Sequence, residues 1–254
     1  MKYLKGGNNM AYIDSSVRYA ANNSPGLYSS QIGWFDYNPY TASNPFSNNT
    51  TYSVINTISN PPGYKISFNL TINQSFPPGE QYIPIASFQS PVYPTSVFGH
   101  TAYLGINGYT ILDMLDNASG LTTTTITLSN IVVTNINNIP ITNYEIIAAD
   151  GESTNSNETW QVTTNGTPWS IIQIFPPIDS NPSKITINGL GTNTLEYAGT
   201  TLQDPPSISA STKSPTIVTA VVSTVLGKQS VTFGIIIPST IQPDNNPMAR
   251  ICSC

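Results

Sequence analysis

Along the chain, hydrophobic positions alternate with polar ones over short stretches, and no stretch makes a convincing helix. In YKISFNLTI (64–72), Ile66, Phe68, Leu70 and Ile72 take every second place, the period-two pattern of a half-buried strand. TTTTITLSNIVVTNI (122–136) begins the same way with Ile126 and Leu128, then changes phase so that Ile131 and Val133 become the inward set. The shift at Ser129-Asn130 predicts a bulge or bend. NYEIIAAD and TWQVTTNG predict two strands flanking a loop, and PWSIIQIF, SKITING, TIVTAVVSTVL and KQSVTFGIIIP predict four more. NGYTILDMLDNASG comes nearest to a helix, but it is short and holds β-formers, so it reads as strand and loop. Turn signals at PPG, NNIP, TNG and FPP separate these runs. About nine to twelve short strands at this spacing predict an all-β chain, a two-sheet antiparallel β-sandwich of jelly-roll or lectin-like type.

The pattern also divides the chain. Residues 1–30 are polar and carry tyrosines at 3, 12, 19 and 28, which reads as an N-terminal arm. Within it, MAYIDSSVRYA holds enough β-formers to pair with a sheet edge, in its own domain or a neighbour's. Residues 31–238 make the sandwich, and 239–254 form a polar, Pro-rich tail ending in CSC. No repeat period emerges, so a solenoid or propeller is not expected.

Composition narrows the class. The 254 residues are 39% hydrophobic, enough for a core, while only 8% are charged, so the polar half is mostly Asn, Thr and Ser. Those residues favour strands and turns over helices, and 21 Pro and 17 Gly push the same way. A net charge of −5 gives nucleic acid no basic stripe to meet. No apolar run is long enough for membrane insertion as a helix. MKYLKGGNNMAYIDSSVRYA has no apolar core of a secretion signal, so the expectation is a signal removed before this numbering or another route out of the cell.

Catalytic chemistry finds little to work with. His100 is the single histidine and no nucleophile elbow accompanies it, so a Ser-His-Asp triad is not expected. GLGTNT lacks the lysine of a phosphate loop. The acidic loop ADGESTNSNETW (149–160) gathers Asp150, Glu152 and Glu158. Asp150 and Glu152 stand two residues apart and, if extended, share one strand face, so they do not flank a sugar as glycosidase carboxyls must. Two readings of the loop stay open. With Asn155, Asn157 and backbone carbonyls, its carboxylates are the hard oxygen ligands that calcium takes. Alternatively they form a polar clamp between loops that needs no cofactor, which is the favoured reading. Cys252 and Cys254 have no internal cysteine to pair with; they are exposed thiols or the staples of inter-subunit disulfides. Lys65 and Lys228 fall in strand regions and are candidates for internal isopeptide links, with ordinary surface lysines as the simpler reading.

Taken in order, IGWFDY, FGHTAYLGINGYT, LTTTTITLSNIVVTN, TNYEIIAADGEST, TWQVTTNGTPW, GLGTNTLEYAG and KQSVTFGIII resemble the non-repetitive, lectin-like domain of CshA-type bacterial surface adhesins, a module of Gram-positive surface proteins. The resemblance covers about residues 31–238. It implies a surface-exposed β-sandwich that adheres to host or environmental glycoproteins. Asp150, Glu152, Ser153 and Thr154 then occupy the acidic motif, and Trp160 and Trp169 the aromatic positions after it. The chain departs from the large adhesins in lacking repeats and an LPxTG-type anchor and in ending in CSC.

Two functions follow as expectations. One is a non-catalytic adhesin on a cell or spore surface that binds a host or environmental protein or glycan. Stacking aromatics are its candidate contacts: Trp34, Tyr37, Tyr40, Tyr93, Tyr103 and Trp169. The other is a self-assembling subunit of a surface fibre, a homo-polymer joined by exchange of the N-terminal arm and by disulfides through Cys252 and Cys254.

Overall fold

The computed structural model describes residues 11–89, 102–103, 105–151, 154–175, 185–202 and 207–238. These residues form sixteen strands in two sheets and no helix. The nine-stranded sheet contains β1 (Ala11–Ser16), β3 (Thr50–Ser59), β4 (Pro62–Ser75), β7 (Thr122–Thr134), β8 (Pro140–Ile141), β10 (Glu158–Thr164), β12 (Ile185–Asn188), β13 (Thr194–Gly199) and β15 (Ile217–Thr224). The seven-stranded sheet contains β2 (Gly33–Trp34), β5 (Ile85–Gln89), β6 (Tyr109–Met114), β9 (Glu145–Asp150), β11 (Ser170–Phe175), β14 (Ser207–Lys213) and β16 (Ser230–Ile236). Their spatial orders are β1-β3-β4-β7-β15-β10-β13-β12, with β8 beside β7, and β11-β14-β9-β16-β6-β5, with β2 beside β16. Apart from the parallel pair β1–β3, the strand pairings are antiparallel. This is the two-sheet β-sandwich that the alternation predicts. Strands beyond the expected number include β2 and β8, which at two residues are too short to alternate, and β1, inside the segment read as an arm.

In the nine-stranded sheet the predicted inward residues are the buried ones. Ile66, Phe68, Leu70 and Ile72 of β4 and Ile126, Leu128, Ile131 and Val133 of β7 all lie in one core between the sheets. Burying each such side chain contributes about 1.5–3 kcal/mol. The predicted phase shift is a bulge. Ser67 pairs with Val132 and Asn69 with Ser129, which leaves Asn130 and Ile131 opposite Phe68 alone. Asn130 takes a φ of 54°, a left-handed turn that asparagine tolerates better than most residues.

Within the seven-stranded sheet β9 and β16 are buried on both faces, which explains why EIIAA and FGIII run apolar without alternating. Ile146, Ala148, Phe233 and Ile235 point into the main core. Ile147 and Ala149 point the other way, into a second cluster with Ile32, Trp34, Tyr103 and Ile106. Trp34 reaches it because β2 lies flat on β16 at Gly234, where a Cβ would come within 2.8 Å of Ile32 and 3.1 Å of the Trp34 ring. The early chain ties the sheets together. β1 extends the nine-stranded sheet, and Arg18 then bridges to Trp34 of the seven-stranded one. Between them Asp36, buried in the rim of the core, accepts from Arg18 Nε at 2.7 Å and from the backbone N–H of Asn38 (3.1 Å) and Tyr109 (3.2 Å).

Candidate functional site

β9 ends at Asp150, whose partner Val231 faces the main core, so the carboxylate turns inward between the sheets. In the facing sheet Glu158 opens β10. The intervening turn is held locally. Thr154 Oγ1 donates to Asp150 Oδ2 at 2.5 Å, and the Asn155 N–H donates to Glu158 Oε2 at 3.1 Å. In return the Glu158 N–H donates to the Asn155 carbonyl, and the Asn157 N–H to Asn155 Oδ1. Gly199 of β13 leaves room for this turn, because a Cβ there would strike the backbone of Thr154 and Asn155.

Asp150, Thr154, Glu158, Trp160, Gln229 and Ser230 line a cavity of about 10 Å³, roughly the space of one water. Gln229 is only 5% exposed; its Nε2 donates to the Thr122 carbonyl at 3.0 Å while Oε1 has no hydrogen-bond partner. Asp113 of β6 stands opposite Ser230 of β16, is 0% exposed, and neither of its oxygens is hydrogen-bonded. Burial pushes the Glu158 carboxyl up to about 8; the charge of Asp150 and, more weakly, Asp113 add to the push, and bonds from Asn155 oppose it. Burial raises Asp113 to about 7, against the pull of the Lys228 charge and the neighbouring Met114 amide, with Asp150 again adding to the rise. The rim therefore gathers acceptors that compete for protons. Its cavity is too small to admit a sugar ring.

Asp150 and Glu158 are thus brought together, as the acidic loop predicts, while Glu152 lies outside the described residues. Among the described residues no three His, Cys, Asp or Glu side chains converge at metal-ligand spacing. His100, Tyr93, Cys252 and Cys254 also lie outside them. The aromatic expectation needs correction. Trp34, Tyr37, Tyr103 and Trp169 are buried, and a stacking platform needs an open ring face. Trp34 packs edge-on to Tyr103 at 5.2 Å, and Tyr37 edge-on to Phe46 at 6.5 Å. Burial holds the Tyr37 hydroxyl well above its ordinary range and pushes Tyr103 up to about 12. Tyr40 stacks on Phe46 at 4.5 Å. Trp160 lies against Tyr197 at 4.6 Å. Lys65 is exposed and the Lys228 ammonium donates to the Leu115 carbonyl, so no described bond joins either lysine to an asparagine or aspartate side chain.

The exposed tyrosines are elsewhere, in the segment read as an arm: Tyr12 at 53% and Tyr28 at 39% exposure. Each borders a groove on an outer face of the sandwich. The groove on the seven-stranded sheet has a volume of about 440 Å³ and is lined by Tyr28, Gln31, Glu145, Ser170, Ser211 and Ile236, among others. Ser170 and Ser211 are cross-strand partners, as are Glu145 and Ile236, so the floor is the outer face of β11, β14, β9 and β16. The groove on the nine-stranded sheet, of about 370 Å³, is lined by Tyr12, Asp14, Ile55, Thr57, Lys65 and Ser67, among others. The signal that marks both tyrosines is a lone aromatic in a polar stretch with no alternation to draw it inward. Asp113 and Gln229 were missed as well; an acid inside the apolar run YTILDM is the mark of a buried carboxyl.

Among the described residues the chain is a helix-free two-sheet β-sandwich with a buried core and a groove on each outer face. Residues 30–237 match the family model of the surface adhesin CshA non-repetitive domain 2, and the chain belongs to that family of surface-adhesin domains. No curated protein matches the chain.

Proposed function

We propose that the chain is a non-catalytic, extracellular surface adhesin, displayed on a bacterial cell or spore, that holds a host or environmental glycan or glycoprotein in the groove at Tyr28. Family membership supports the adhesive role. The observation that carries the choice of site is that an exposed tyrosine ring, the amide of Gln31, the Glu145 carboxylate and the hydroxyls of Ser170 and Ser211 converge on one groove of about 440 Å³. An aromatic ring covers the apolar face of a sugar, while carboxylate, amide and hydroxyl groups exchange hydrogen bonds with its rim. A screen of the full chain against immobilised glycans and matrix glycoproteins tests this, repeated with Tyr28→Ala and Glu145→Gln. We expect about tenfold weaker binding from loss of the ring. Unchanged binding by both variants rules the groove out.

A second reading, the subunit of a self-assembled fibre, is favoured by β1. It joins the sheet edge through a single parallel neighbour, with six residue pairs from Ala11–Tyr52 to Ser16–Thr57, and parallel pairing is the weaker kind per residue. The same six pairs form equally well when the strand comes from a neighbouring copy. Disulfides through Cys252 and Cys254 would then lock the polymer. Negative-stain electron microscopy with and without reductant decides: filaments that weaken on reduction support the fibre, and single particles under both conditions eliminate it.

A further inference from the structure

The outer face of the nine-stranded sheet carries a regular, nearly uncharged array. Thr51, Thr71, Thr127, Thr219, Thr163 and Thr194 are successive cross-strand partners, one from each of β3, β4, β7, β15, β10 and β13. The Thr51 and Thr71 hydroxyls meet at 2.9 Å, and those of Thr127 and Thr219 at 3.2 Å. Neighbouring strands repeat at about 4.8 Å and outward residues of one strand at about 6.7 Å, so methyl and hydroxyl groups recur on a lattice. One row along, Tyr12, Ser53, Asn69 and Ser129 are partners, and that row leads into the groove of about 370 Å³ with Asp14 and Lys65. Among the described residues neither Asp14 nor Lys65 forms an ion pair, although the ion pairs Arg18–Asp36 and Lys213–Glu145 occupy other acids and bases of this sparsely charged chain.

We propose that this face is a second ligand surface, which takes an uncharged polysaccharide chain anchored at Tyr12, Asp14 and Lys65 and lying over the threonine row. It shares no lining residue with the Tyr28 groove, so it stands or falls separately from the function proposed above. The half-exposed ring of Tyr12 offers a sugar its flat apolar face. The Asp14 carboxylate accepts from neighbouring sugar hydroxyls, and the Lys65 ammonium donates to a ring or hydroxyl oxygen. Their opposite charges cancel, which removes any preference for an acidic glycan. The hydroxyl lattice beyond the groove repeats as a polymer of sugars repeats. Two other occupants fit worse. A protein interface of ordinary strength centres on clustered aromatic or arginine anchors, whereas the described residues of this face supply one exposed aromatic, Tyr12, with the aliphatic Ile55, Val132 and Ile217 set among serines and threonines. A crystalline surface is flat, whereas a sheet twisting by about 20° per strand turns through roughly 100° over six strands; a flexible chain follows that twist.

The test is affinity electrophoresis of the full chain through native gels cast with hydroxyethylcellulose, galactomannan or dextran, alongside gels with none. The variants are Tyr12→Ala and the triple change Thr71→Val, Thr127→Val, Thr219→Val, which removes hydroxyls while keeping β-branched shape; far-UV circular dichroism checks that both remain folded. We expect the wild type to be retarded by at least one neutral polysaccharide, with no change on adding salt. Tyr12→Ala should bind about tenfold more weakly, and the triple variant should also lose retardation. The proposal is overturned if no neutral polysaccharide retards the wild type, if retardation disappears with salt, or if both variants migrate as the wild type does. Retardation lost in Tyr28→Ala but kept in Tyr12→Ala assigns the binding to the other groove and overturns it too.

Discussion

The acidic rim predicts an inverted response to pH. Glu158, with a carboxyl near 8 in the fold, ordinarily titrates near 4.5. A group whose folded pKa is raised binds more protons in the folded state than in the unfolded one between those two values. Stability therefore falls as pH rises from about 4.5 to 8, the reverse of the usual carboxylate. Replacing Glu158 by glutamine keeps the shape and removes the ionisation. At pH 4 variant and wild type should melt within about 1 °C of each other, since the wild-type carboxyl is mostly protonated there in both the folded and the unfolded state. At pH 9 the full linkage would be about 5 kcal/mol. Water at the open rim screens part of that, so we expect the variant to be more stable by about 2 kcal/mol. For a domain of this size that is about 4–8 °C in Tm. Differential scanning calorimetry of both proteins at half-unit steps from pH 4 to 9 reads the difference. A wild-type Tm that stays flat or climbs across this window, with the variant in parallel, refutes the account of the rim.

Other predictions concern single contacts. Asp36→Ala leaves the Asn38 and Tyr109 amides and Arg18 without their acceptor, and urea denaturation should show a loss of about 3 kcal/mol. Asn130→Val forces a β-branched residue into the left-handed bulge and should cost about 1–2 kcal/mol in the same assay, whereas Asn130→Gly should be close to neutral. Melts with added calcium and with chelator should superimpose if the acidic loop is a clamp; a rise in Tm with calcium makes Asp150 and Glu158 ligands.

How much of this was legible in the sequence depended on which faces of a strand are buried. β4 and β7 bury one face, so their alternation names the inward residues and even the bulge at Asn130. β9 and β16 bury both, and the sequence shows that they are strands without showing which side each residue takes. The cover on their outer side comes from Ile32, Trp34 and Tyr103, far away in the chain. That is also why Trp34 and Tyr103 looked available for a ligand: nothing local distinguishes a ring that seals a sheet from one that faces water. β14 escaped notice because its buried residues include Ser207 and Ser209, whose hydroxyls bond the carbonyls of Phe175 and Gln173. Asp150 and Glu158 stood out by local density in a chain poor in charge. Asp113 and Gln229 join them only through the order β9-β16-β6, which no local pattern encodes.

The scarcity of lysine and arginine has a consequence for survival outside a cell. The chain has eight such residues, and those described are Arg18, Lys65, Lys213 and Lys228. Lys65 lies inside β4, Lys213 is the last residue of β14, Arg18 is bonded to Asp36, and the Lys228 ammonium is held by Leu115. A trypsin-like protease cuts after these two residue types and needs several neighbouring residues free of the sheet to do so. The use of Asn, Thr and Ser in place of charged side chains thus leaves such an enzyme few points of attack, and at the four described ones the chain is held by strand pairing or by a side-chain bond.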